Sequence, residues 1–136
     1  MLTKTEPIIV KIVDLKLTDR YDGIVSFSTE SGHVFEAFFW GDNYLIGEER
    51  LINLERLSLS YDWMTTFKKN PTCERKLERG PSQCEYFGYG QILQIRPVIA
   101  DFGDFKLDLG DWTNDDRVIN EFIYWHIDRL EIALNY

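Results

Sequence analysis

From Ile24 to Trp40 the chain reads IVSFSTESGHVFEAFFW, two apolar runs on either side of Ser31-Gly32. Side chains on a strand alternate between its two faces, and Ser-Gly between two such runs closes a tight turn. Ile24 or Val25, with Phe27, supplies core positions on the first run, and 33–40 (HVFEAFFW) runs back beside it. The stretch is a β-hairpin, entered through the turn signal Asp22-Gly23 and ended by Gly41-Asp42-Asn43.

Working outward, residues 8–15 (IIVKIVDL) form an apolar strand led in by Pro7, which suits a strand start rather than its middle. Residues 44–50 show no period and read as a connector. From Leu51 the alternation returns, with Leu57, Leu59, Tyr61 and Trp63 on one face and Arg56, Ser58, Ser60 and Asp62 on the other. Residues 67–83 carry two prolines, a glycine and dense charge, and read as a long exposed loop in which Thr72 caps a short helical turn ending at Gly80. The pattern resumes at Tyr86. Residues 91–100 (QILQIRPVIA) read as a strand with Pro97 at an edge or bulge, and 105–109 (FKLDL) turns Phe105, Leu107 and Leu109 inward. Asn114-Asp115-Asp116 caps one helical turn. In 121–134 Phe122, Tyr124, Trp125 and Ile127 favour a strand, although Ile123, Ile127, Leu130 and Leu134 also fit helical spacing.

An internal similarity links the two halves. Ile46-x-Glu48 followed by Leu54-Glu55-Arg56-Leu57-x-Leu59 recurs as Ile119-x-Glu121 followed by Ile127-Asp128-Arg129-Leu130-x-Ile132. Each copy follows a hairpin ending in Gly-Asp, at Gly41-Asp42 and Gly110-Asp111. The expectation is one domain over residues 1–136, built from two similar hairpin-plus-strand units at roughly 24–63 and 91–134, with loop 67–83 between them. Arg56 and Arg129 take equivalent places, each pairing with an acid across strands. The predicted fold class is mostly β, a small OB-like or SH3-like barrel or a two-layer sandwich with one or two short helical turns.

Composition bounds what such a domain does. The formal net charge is −8 and twenty of the 136 residues are Phe, Tyr or Trp. Nonspecific nucleic-acid binding needs a basic face, so the charge disfavours it and suits a basic protein partner instead. No apolar signal follows Met1, and no stretch is long and apolar enough to span a membrane, so the expected compartment is the cytoplasm, with both cysteines reduced.

The search for chemistry selects no catalytic, cofactor or metal residues. Cys73 and Cys84 lie in the loop without a histidine nearby, whereas a structural zinc wants four clustered ligands; both read as exposed thiols. Asp101, Asp104, Asp108, Asp111, Asp115 and Asp116 fall at predicted turns and lack the alternation of a calcium loop. His33 and His126 read as packed or surface residues.

Two features suit binding. The acids Asp101, Asp104, Asp111, Asp115 and Asp116, with Trp112, Trp40 and Tyr44, form an acidic, aromatic surface for a basic partner. Alternatively, Lys68, Lys69, Arg75, Lys76 and Arg79 outweigh Glu74 and Glu78 by three charges, so a nucleic acid or oligosaccharide would lie on this basic segment and stack on Tyr86 and Tyr89. In size, acidity and aromatic content the chain resembles bacterial immunity proteins, a likeness of composition that covers no motif. That resemblance implies a non-enzymatic protein-binding module. An uncharacterised enzyme stands third, and a pocket joining His33 or His126 to several carboxylates would favour it.

Overall fold

A computed structural model describes residues 6–58 and 62–133. The chain folds as two curled, mostly antiparallel sheets packed face to face, in keeping with a small barrel or sandwich. The first sheet contains β1 (Ile8–Asp19), β2 (Asp22–Ser28), β3 (Val34–Phe39), β4 (Glu49–Ile52), β5 (Leu54–Leu57) and β11 (Arg129–Ile132), in the order β4-β1-β2-β3-β11-β5. The second contains β6 (Lys76–Arg79), β7 (Tyr86–Gln94), β8 (Val98–Asp101), β9 (Lys106–Gly110) and β10 (Phe122–Ile127). Its order is β10-β7-β8-β9, with β6 also paired to β7.

Alternation sets which side of each strand is dry. Val25, Phe27, Phe35, Ala37 and Phe39 of the central hairpin face Tyr86, Ile92, Leu107, Leu109, Ile123 and Trp125 of the opposite sheet, all buried in one core. Burying each Val, Leu, Ile or Phe among them contributes roughly 1.5–3 kcal/mol. Gly88 and Gly90 also face inward, because Phe102 fills the space a side chain would need: a Cβ on either would lie within 3.0 Å of its ring. Trp125 is a core residue, stacked on Trp112 at 5.3 Å.

The hairpin at 24–39, the strand beginning at Ile8, the inward set Phe105, Leu107 and Leu109, and the Asp115 cap all stand where alternation and turn chemistry place them. Residues 121–133 hold strands, β10 and β11, and these lie in different sheets because the chain crosses between layers at Asp128, while Leu134 lies outside the described residues. Asp22-Gly23 belongs to β2; the turn is made by Arg20 and Tyr21.

Elsewhere the structure corrects the sequence. Residues 51–63 are not one strand. Ile52 and Leu54 are buried while Leu57 is exposed, the chain switches from β4 to β5 at Asn53, and Trp63 opens a helix, α1 (Trp63–Lys68). Asp62 caps that helix, accepting the Met64 N–H at 3.2 Å, so Thr72 caps nothing. Leu59 and Tyr61 lie outside the described residues.

Segment 67–83 is not a long loop either, since it holds the end of α1 and all of β6. Asn70 is buried within it and ties it down, donating to the carbonyls of Glu74 (3.0 Å) and Ile123 (3.1 Å) and accepting from Glu74 N–H. Pro97 sits in the turn between β7 and β8 rather than in a strand. The two Arg-Leu segments of the internal similarity lie side by side as β5 and β11, Arg56 opposite Leu130, while their hairpins belong to different sheets. Arg129 pairs with Glu131 on its own strand at 2.5 Å, not across strands. No helix among the described residues is long and apolar enough to cross a membrane.

Candidate functional site

The acids of 101–116 are largely occupied by the fold. Asp101 accepts the Gly103 N–H (2.8 Å) and Asp108 that of Gly110 (2.8 Å), each closing its own turn. Asp115 caps the 3-10 turn Asp116–Val118 and grips Arg117, whose guanidinium holds its carboxyl down to about 2. Asp116 faces Arg96 at 3.7 Å. Asp111 is exposed. Trp112 is half-buried between Trp63, Phe67 and Trp125, and Trp40 leans on Phe38. Tyr44 is buried against Phe39 and Arg50, and burial pushes its hydroxyl well above the ordinary range, so it cannot anchor a partner. Of the residues selected from sequence, Tyr44 is therefore not part of an exposed surface.

Asp101 and Asp104 do reach a cleft. The start of β1 supplies its floor, Ile8 and Ile9; the β2–β3 turn supplies Thr29, Glu30 and Ser31; the β8–β9 turn supplies Gly103 and Asp104. This space is about 580 Å³. A second lobe of about 300 Å³ shares Ile8, Gly103 and Asp104 with it and adds Glu6, Asp101 and Lys106. Four carboxylates thus line the two lobes against one lysine.

Asp104 is held from three sides. Thr29 Oγ1 donates to it at 2.7 Å, Ser31 Oγ also donates, and His33 Nδ1 lies 2.8 Å away. Burial alone would raise its carboxyl, but these hydrogen bonds outweigh burial and hold it below the usual aspartate range. Ser31 and Asp104 meet the same nitrogen of His33, so the three do not form a relay from nucleophile through base to orienter. His126 is elsewhere, bonded to Glu85 at 2.7 Å and stacked on Phe87.

Beside the cleft the first sheet shows apolar side chains to solvent. Ile9 and Leu51 are cross-strand partners, 53% and 56% exposed, and Val13 lies farther along β1. Leu45 and Ile46, also exposed, stand in the loop that joins β1 where Gly47 N–H donates to the Ile12 carbonyl. Sequence reasoning missed Glu6, Ile9, Glu30 and Leu51, yet a signal was present. In IIVKIV apolar residues occupy both parities, as in a strand covered on both faces, whereas a strand with one wet face alternates.

The basic segment is mostly neutralised. Arg79 reaches Glu36 of the first sheet at 2.6 Å, Lys76 sits between Glu74 and Glu78, and Arg75 lies near Asp101 and bonds Gln91. Lys69 covers the ring of Tyr124 and Lys76 that of Tyr89; Lys68 is exposed at the end of α1. Tyr86 is buried, its hydroxyl accepting the Glu36 N–H at 2.8 Å, so it offers no stacking face. Cys73 is exposed, but Cys84 is buried, contrary to the sequence reading, and both are free thiols. Compared with known proteins, the chain matches no family model, no curated protein and no solved structure.

Proposed function

We propose that this chain is a non-enzymatic protein-binding module that receives a basic partner at the open end of its first sheet. The observation that carries this reading is the pairing of exposed Ile9 and Leu51 beside a cleft lined by Glu6, Glu30, Asp101 and Asp104. Apolar side chains gathered on a surface and rimmed by charge favour a protein partner, because association removes their apolar surface from water. The net charge of −8 supplies long-range attraction for a basic surface and mainly speeds encounter. The reading keeps the basic partner expected from sequence and moves the contact surface away from Asp111, Asp115 and Asp116.

Binding of a nucleic acid or oligosaccharide on the outer face of the second sheet is the weaker reading. It draws support from Lys69 and Lys76 over Tyr124 and Tyr89, at 4.5 and 5.4 Å, but the acids paired with Lys76 and Arg79 cancel much of the charge it needs.

Paired baits test the proposal. The full chain and its Ile9→Asp/Leu51→Asp variant are incubated with lysate of the native source, with and without nuclease treatment. A stoichiometric basic protein held by the parent chain and lost by the folded variant is the expected result. The same protein held equally by both baits overturns the assigned surface, and retention of nucleic acid alone at low salt moves the site to the second sheet.

A further inference from the structure

We infer that the occupant of the cleft is an extended segment of the basic partner, adding as a short strand beside Ile9, an inference that rests on the protein-binding reading above. It follows from the phase of the hydrogen bonds along β1. Ile12 N–H donates to the Glu48 carbonyl (2.9 Å), and Gly47 N–H donates to the Ile12 carbonyl (2.7 Å), so Ile12 directs its amide and carbonyl toward β4. In an antiparallel ladder this direction alternates residue by residue. Val10, opposite Arg50, and Ile8, opposite Ile52, share the phase of Ile12. Ile9 and Lys11 therefore direct theirs the other way, toward β2.

Lys11 finds Ser28 there, but β2 ends at Ser28. Ile9 faces the turn at Thr29–Ser31 across the larger lobe of the cleft, and no hydrogen bond to its amide or carbonyl on that side is present among the described residues. A main-chain donor and acceptor thus open onto a cleft at the end of a sheet. An extended peptide satisfies both, while its side chains set specificity, as in strand-addition recognition generally.

The walls say which peptide. Glu30 on one side and Glu6 on the other are exposed carboxylates, and Asp101 and Asp104 lie between them. Ile9 and Leu51 offer apolar contact on the adjoining face. Side chains of a strand alternate, so a segment alternating lysine or arginine with aliphatic residues presents charge to the carboxylates and apolar surface to the strip.

The test uses the full, isotopically labelled chain and a capped hexapeptide alternating lysine and valine. Two further peptides carry methylated backbone nitrogens, at the lysines in one and at the valines in the other, which blocks one edge at a time. Strand addition predicts slowed exchange of the Ile9 amide, a loss of about tenfold or more in affinity from one methylated set and little from the other, and weaker binding to the Glu30→Lys variant. Binding that weakens with Glu30→Lys but is equal for both methylated peptides overturns strand addition and leaves the protein-binding reading standing. Absence of binding at millimolar peptide overturns strand addition as well, and the paired baits then decide the protein-binding reading by themselves.

Discussion

Thr29 in the β2–β3 turn donates its hydroxyl to Asp104 in the β8–β9 turn at 2.7 Å, and so fastens the first sheet to the second. Thr29 is itself buried, and Asp104 is the nearest acceptor to its hydroxyl, closer than Ser31 Oγ (3.0 Å) and the His33 carbonyl (3.5 Å). Ser31 and His33 donate to the same carboxylate, and the three contacts fix one wall of the cleft against the other.

Replacing Asp104 with alanine is expected to cost about 1–3 kcal/mol near neutral pH, since Thr29, Ser31 and His33 lose a shared ionised acceptor. The cost depends on pH in a definite direction. The folded carboxyl titrates below its unfolded value, so its ionised form adds stability that is complete above the unfolded value near 3.9 and is lost as pH falls through the lower folded value. Urea midpoints of the parent chain and the variant should therefore converge as pH is lowered through the window that begins near about 4. A gap unchanged across that window would mean that the ionised carboxylate does not matter.

What could be read beforehand follows from how local each cause is. The central hairpin and β9 were legible because one side of each is dry and one is wet, which writes period two into the sequence. The break at Asn53 was not, since Ile52 and Leu54 are buried in separate strands yet continue one another's parity. Strand β6 was hidden by its own charges: Lys76 and Glu78 are outward, and Leu77 alone packs against the core, so the pairing with Tyr86–Tyr89 supplies what composition does not. The cleft draws on three turns and strands far apart in sequence. Its acids at 101 and 104 were recognisable, but only the folded register shows that they stand beside Ile9.

The two cysteines should react very differently. Burial pushes the Cys84 thiol up to about 12, with Glu36 adding to the rise, whereas Cys73 is exposed. Because the thiolate is the reacting species, a thiol reagent at mildly alkaline pH should modify one cysteine in the native chain and both in denaturant. Mass spectrometry of the digested protein assigns the site. Rapid native labelling of Cys84 would contradict its placement in the interior.

Gly90→Ala is expected to cost about 1–3 kcal/mol by overpacking. The added Cβ would stand 2.8 Å from the Asp101 carbonyl and 2.9 Å from the Phe102 ring, and a backbone oxygen in a paired strand cannot move aside cheaply. A thermal melt of the variant with its midpoint at the parent value would show that β7 and Phe102 do not approach this closely.

The strand phase on which the binding inference depends is itself open to measurement through proline. Ile9 and Lys11 both have exposed side chains on β1, and both direct their amides away from β4. Lys11 stands opposite Ser28 and directs its N–H toward it, so Lys11→Pro removes a ladder bond inside a central strand and should be clearly destabilising. Ile9 N–H has no strand opposite it, so Ile9→Pro removes no ladder bond and should cost much less, yet should still abolish strand addition. Chemical denaturation of the two variants, each compared with alanine at the same position, gives the difference directly. Equal losses at the two positions would place a ladder bond on Ile9, close the edge it is inferred to offer, and remove the basis for a partner strand in the cleft.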